Sequence, residues 1–213
     1  MIPNGCDLEV FPATTREADV LPGTDHGDLI CLFMGAHGLA NGLDAVLDVG
    51  VELKARGRLD LKLVLIGDGK CKPALQQRAK AEKMDNVKFM DPVAKTELHT
   101  LLRKSDVGLM ILANVPAFYY GTSPNKFFDY IAAGIPVLNN YPGWLADIIT
   151  REGVGIAVPP QDSGAFADAL VYLADHPEER KNMGLSARRL AESEFDRDKL
   201  AEAFVIEFEE LDA

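Results

Sequence analysis

From Leu29 onward, short apolar runs alternate with longer stretches in which apolar residues return at helical spacing. "LICLFMG" (29 to 35), "LKLVLIG" (61 to 67), "NVKFM" (86 to 90), "DVGLMIL" (106 to 112), "IPVLN" (135 to 139) and "GIAVP" (155 to 159) have the length and continuity of strands covered on both faces. Between the first two, in "GLDAVLDVGVELKARG" (42 to 57), Leu43, Val46, Leu47 and Val51 share one helical face, with Asn41 as a cap and Gly57 as a stop. Ala74 to Met84, Lys95 to Lys104, a segment opening at Ser123, and Trp144 to Thr150 supply the other crossovers. Six strands joined by helices predict an α/β fold with a doubly wound, six-stranded parallel sheet. Helices at Gly164 to Ala174, Glu178 to Ser193 and Arg197 to about Leu211 close the chain. Residues 1 to 28 lack the alternation, hold "PNG" and "LPGTDHG", and offer only "LEVF" as a short strand, so they read as a lead-in segment and loop.

Ligands of such a sheet bind beyond the carboxyl ends of its strands, which directs attention to the loops at 35 to 42, 67 to 72, 90 to 95, 112 to 124 and 139 to 144. One of them opens "GTSPNKFFDYIAAGIPVLNN" (121 to 140), where Ser123 is a cap and Pro124 a first helical residue. Lys126 then falls in the first turn, where the helix already presents partial positive charge and unpaired N–H groups. A cation there is mildly unfavourable by itself and favourable beside a bound anion. Asn125, Lys126, Asp129 and Ala133 lie on one arc of this helix, with Phe127 and Ile131 opposite.

Composition narrows the partners. Of 213 residues, 47% are hydrophobic, ample for a core. A net charge of −11, from 33 acidic and 22 basic residues, argues against a nucleic-acid surface and against adsorption to anionic lipid. Cys6, Cys31 and Cys71 have neither disulfide-framework nor zinc spacing, which points to a reducing, cytoplasmic setting; no apolar run reaches membrane-spanning length, and no leader opens the chain. His26, His99 and His176 lack partners at metal-ligand spacing, and "DRD" (196 to 198) reads as the start of a helix, so no metal site is expected. No GxGxxG, GxxxxGK[ST] or GxSxG occurs. In the glycine loop "GAHGLANG" (35 to 42), Gly35 and Gly38 allow close backbone approach to an anion; His37 is either a phosphate donor or an incidental loop residue. Asp68 and Lys70 of "IGDGK" read as a plain connection.

The segments "IPNGCDLEVF", "FMGAHGLANGLDAVL", "LKLVLIGDG", "NVKFMDPVAKTELHTLLRKSDVGLMI" and "SPNKFFDYIAAGIPVL", in this order, resemble the C-terminal, donor-binding half of retaining glycosyltransferases of family 4 with the GT-B fold. The version of the last motif is similar to that of bacterial enzymes building O-antigen, lipopolysaccharide or capsule. The resemblance implies a Rossmann-like sugar-nucleotide domain over 29–193, an interdomain crossover within 1–28, a terminal helix over 194–213, and an N-terminal acceptor domain outside this chain. It implies a UDP-sugar donor as partner, a lipid-linked or saccharide acceptor, and no cofactor or metal. The full-length enzyme would work in the cytoplasm, at the inner face of the membrane, and this half alone would transfer nothing.

Carried over residue by residue, the family pattern has Asp129 hold the ribose hydroxyls and Lys126 stabilise the departing diphosphate. Asn125 joins them on the polar face; Gly35, His37 and Gly38 border the phosphates. Gly121, Thr122 and Ser123 would offer backbone donors to phosphate and sugar, and the loop around Met90 to Val93, Met90 and Asp91 first, would flank the base. The sequence departs from the pattern in three places. Gly121 stands eight residues before Asp129, where the family has a glutamate, so it either leaves room for an N-acetyl group or satisfies a tight turn; Ala36 and Asn41 replace a basic pair in the glycine loop. Two rival functions remain: a UDP-sugar epimerase of the same fold, which needs no acceptor, and a non-catalytic nucleotide-binding module, which turns nothing over.

Overall fold

The computed structural model describes residues 4–11 and 20–211. Six strands, β1 (Leu29–Met34), β2 (Leu61–Ile66), β3 (Val87–Met90), β4 (Val107–Met110), β5 (Val137–Asn139) and β6 (Gly155–Ala157), form one sheet in the order β3-β2-β1-β4-β5-β6. Every pairing is parallel, with β1 and β2 in register from Leu29↔Leu61 to Met34↔Ile66. The doubly wound α/β expectation is therefore met. Strand order reverses between β1 and β4, which opens a crevice at their carboxyl ends.

Between the strands run α1 (Asp44–Ala55), α2 (Lys72–Ala81), α3 (Lys95–Arg103), α4 (Ala117–Gly121), α5 (Asn125–Ala133) and α6 (Trp144–Glu152); α7 (Ser163–Asp175), α8 (Pro177–Glu194) and α9 (Arg197–Leu211) follow. Alternation along β1 assigns its two faces. Ile30, Leu32 and Met34 pack in one cluster with Tyr130, Ile131 and Leu190. Cys31 and Phe33 join Val46, Leu47, Phe166 and Leu170 in the other. Both faces of the strand are buried, as its unbroken apolar run requires. Among the described residues no helix is long and apolar enough to cross a membrane.

Helix α5 is fixed from its inner side. Phe127, Phe128, Tyr130, Ile131 and Ala132 are buried. The Tyr130 hydroxyl donates to the Leu32 carbonyl at 3.0 Å and accepts from the Met34 N–H at 3.2 Å, tying the helix to the end of β1. Beneath its ring lies Gly108, where a Cβ would sit 2.4 Å from Tyr130 Cγ. Only glycine lets α5 come this close to β4.

Four local expectations are corrected. "LEVF" is a turn, because the Asp7 carbonyl and carboxylate accept from the N–H groups of Phe11 and Val10. Asn41 does not cap α1: it ends a short 3₁₀ turn, Leu39–Asn41, and its amide donates to the Ala36 carbonyl. Ser123 does not cap α5; Pro124 occupies the cap position with extended backbone, and the Ser123 hydroxyl accepts from the Asn4 N–H at 3.0 Å. The connection 112 to 124 contains the unexpected helix α4. Of the expected lead-in, residues 1–3 and 12–19 lie outside the described residues.

Candidate functional site

A cleft of about 620 Å³ opens at the carboxyl ends of β1 and β2. Gly35, Ala36 and Asn41 border it on one side, Gly67, Asp68, Pro92 and Val93 on another, and Asn125, Lys126 and Asp129 of α5 on the third. A smaller cavity of about 330 Å³ lies beside it, between α1 and the segment from Pro159 to Phe166. Another, of about 600 Å³, lies where Asp106 and Pro136 lead into β4 and β5, at the opposite end of the sheet. The first cleft is distinguished by its position near the switch point and by its cation.

That cation is Lys126. Its ammonium donates to Asn41 Oδ1 at 3.1 Å and stands 4.3 Å above the centre of the Phe33 ring. Among the described residues no carboxylate pairs with it. Burial pulls its pKa down to about 8, so it remains mostly protonated at neutral pH but is poorly neutralised. A half-buried ammonium at a helix start, met by an amide oxygen and an aromatic face, is arranged to receive an anion. Asp129 stands one turn further along α5 and lines the same cleft.

The floor of the cleft is stitched together by backbone. The Gly35 N–H donates to the Ile66 carbonyl at 3.0 Å, His37 N–H to Asp68 at 2.8 Å, and Cys71 N–H to the His37 carbonyl at 2.9 Å. Gly67 has φ +142°, and a Cβ there would lie 1.9 Å from the Gly35 carbonyl oxygen. No side chain fits between these two loops. Lys72, in the first turn of α2, is 7% exposed; its ammonium donates to the carbonyls of Gly67 at 2.8 Å and Met90 at 3.1 Å, and to Asp91 Oδ1 at 2.8 Å.

Four of the residues singled out in the sequence meet in the cleft: Gly35, Asn125, Lys126 and Asp129. His37 does not face it. Its ring is fully buried, 6.1 Å from Phe33 and 6.1 Å from Phe89, and burial followed by the charge of Lys72 lowers its pKa. Neither ring nitrogen has a hydrogen-bond partner among the described residues, while the His37 backbone holds the loop. Gly38 flanks the 3₁₀ turn in extended conformation. Gly121 ends α4, exposed, with no atom within 4 Å of where a Cβ would stand. Its φ is not positive, so no tight turn demands glycine here. Thr122 binds the Phe118 carbonyl through its hydroxyl and Trp144 Nε1 through its own carbonyl; both Ser123 oxygens accept from Asn4, which also donates to Asn125 Oδ1. Met90 and Asp91 are engaged by Lys72. Sequence reasoning missed Lys72, although the signal that exposed Lys126, a cation in a first helical turn, is present in α2 as well. Among the described residues no group of three His, Cys, Asp or Glu is placed to hold a metal ion.

Residues 28–176 match the model of the family described as Glycosyl transferases group 1. The chain is 30% identical over 201 residues to D-inositol 3-phosphate glycosyltransferase of Paenarthrobacter aurescens (strain TC1), covering 90% of this chain and 47% of that protein. It is 24% identical to O-antigen chain mannosyltransferase C of Escherichia coli, over 84% of this chain and 46% of the relative. Among solved structures it is similar to Anabaena HepE in complex with UDP and glucose, with TM-score 0.80 at 15% identity, over 98% of this chain and 56% of that one. It is also similar to the C-terminal domain of the group 1 glycosyl transferase LpcC from Francisella tularensis, with TM-score 0.71 at 18% identity, over 90% of this chain and 99% of the other. The chain thus spans about half the length of the curated relatives it matches.

Proposed function

The chain belongs to the group 1 glycosyl transferases, and from that membership we propose that residues 29–193 are the donor-binding domain of a retaining GT-B enzyme using a UDP-sugar. The observation that carries this reading is the placement of Lys126 and Asp129 together on one face of α5, in the cleft at the carboxyl ends of β1 and β2. In it, Asp129 accepts from the ribose hydroxyls, and Lys126 with the α5 N-terminus meets the diphosphate. Glycosyl transfer develops negative charge on the departing diphosphate, and a fixed ammonium in a partly desolvated cleft favours that charge more in the transition state than in the bound donor. Resident metal is not needed for this step. The complex of HepE with UDP and glucose, and the naming of relatives for glycosyl transfer, support the donor class.

The finer reading follows the resemblance of "SPNKFFDY" and the E. coli relative: transfer to a lipid-linked or saccharide acceptor in bacterial surface polysaccharide synthesis, in the cytoplasm. The acceptor would be held by an N-terminal half, so the 213-residue chain alone should bind donor and transfer nothing. An N-acetylated donor sugar is favoured by the open space and undemanding backbone at Gly121. Calorimetry with UDP in the presence of chelator tests the core of the proposal. Wild type should bind, and Asp129→Ala should lose about 1.5–3 kcal/mol, roughly tenfold to over a hundredfold in affinity. Unchanged UDP affinity in Asp129→Ala would remove the ribose assignment.

A further inference from the structure

We propose that Lys72 is a positioning residue for the nucleotide site, holding the wall against which the base rests by fastening the β2–α2 loop to the β3–α3 loop. The inference rests on the donor-site reading above and adds a residue and a role to it. Lys72 has three donors and uses all three, on Gly67, Met90 and Asp91. Two of these acceptors stand at the ends of neighbouring strands, and the third opens the loop that follows β3. Immediately beyond Asp91, Pro92 and Val93 line the cleft, joined by Leu98 from α3. This wall is apolar, suited to the face of a flat heterocycle, and has no side chain that could lock onto ligand by itself.

Its placement runs against local preference. An ammonium at the start of α2 opposes the helix dipole and, at 7% exposure, has given up most of its hydration. The compensation lies in three acceptors, none of them on its own helix. Asp91, though largely exposed, is drawn to Lys72, and the same contact holds its carboxyl below the usual range. The carboxylate is thereby turned to the lysine, and Pro92 and Val93 are left to face the ligand. Because the Gly67 carbonyl is one of the acceptors, the wall is registered to the glycine contact that forms the cleft floor.

Calorimetry on the purified 213-residue chain with uridine and with UDP separates this role from the others. Lys72→Met, measured well below its melting temperature, should lose about tenfold in affinity for both ligands alike, since the base wall is common to them. Asp91→Asn, a change on an exposed side chain, should lose about threefold for both, and the double variant should lose no more than Lys72→Met alone. If Lys72→Met fails to fold, Asp91→Asn carries the test. Wild-type affinity for uridine in a folded variant overturns the proposal, as does a loss confined to UDP, which would put Lys72 with the phosphates. A wild-type chain that binds UDP while both variants match it leaves the donor site standing and removes only this inference; a wild type that binds neither ligand removes both.

Discussion

Raising the pH from 7 to 9 should weaken UDP binding about tenfold through deprotonation of Lys126. With a pKa of about 8 in the ligand-free chain, the ammonium is roughly ten parts in eleven protonated at pH 7 and one part in eleven at pH 9. If only the charged form pairs with diphosphate, the affinity follows that ratio, a change of about 1.4 kcal/mol. The sign is fixed by linkage. Bound diphosphate raises the lysine pKa, so the complex holds its proton better than the free chain does, and affinity falls as pH climbs through the free-chain value. Around the ammonium stand Asn41, Phe33 and Gly35, none of which titrates. Burial, followed by the charge of Lys72, lowers the pKa of His37. Calorimetry in buffers matched for ionic strength, at half-unit steps, reads the slope. Uridine should show only the loss that ionisation of its own uracil ring brings at the top of this range, Lys126→Ala should reduce the UDP slope to that loss at the weak level, and Lys126→Arg should do so at the strong one. A tenfold slope that persists in Lys126→Ala would refute the assignment of the diphosphate to this residue.

Gly67→Ala should cost more than about 2 kcal/mol in urea unfolding and abolish UDP binding, because its φ of +142° is strained for alanine and its Cβ would press on the Gly35 carbonyl; a loss below about 0.5 kcal/mol would show that the two loops yield freely. Gly121→Glu should leave the melting temperature unchanged, since nothing lies within 4 Å of the new Cβ, and should move donor preference toward UDP-glucose over UDP-N-acetylglucosamine by about tenfold in a competition titration. An unmoved ratio would place the sugar elsewhere.

The sheet was legible because every strand is a mainly apolar run too short for a crossover helix, and "LICLFM" is buried at all six positions. Helix α4 was not, since five residues with Pro116 at their cap carry no period to detect. Ser123 illustrates a different limit. Its sequence context is that of a helix cap, yet the hydroxyl is occupied by Asn4, 119 residues away, a competitor that no local window contains. His37 is open to two readings in the sequence, phosphate donor or incidental loop residue, because its neighbours are small; the rings that enclose it come from β1 and β3. Lys126 and Asp129, by contrast, share a face by helical arithmetic alone, and the cleft brings them together as that arithmetic requires.

The bond from Tyr130 to the end of β1 has a consequence for how this domain can change over generations or in the hands of an engineer. The buried phenol and the two cleft-lining side chains ride on the same nine-residue helix, Tyr130 one turn beyond Lys126, and Gly108 sets the depth at which that helix sits. Substitutions at the cleft-lining positions therefore alter what the helix offers to a ligand while leaving its seat untouched, and can be sampled one at a time. A change at Tyr130 or Gly108 moves every cleft-lining group at once. Ligand preference can drift by small steps at the cleft-lining positions of α5, whereas Tyr130 and Gly108 admit only coordinated replacements, so the helix is a variable surface carried on a constrained mount.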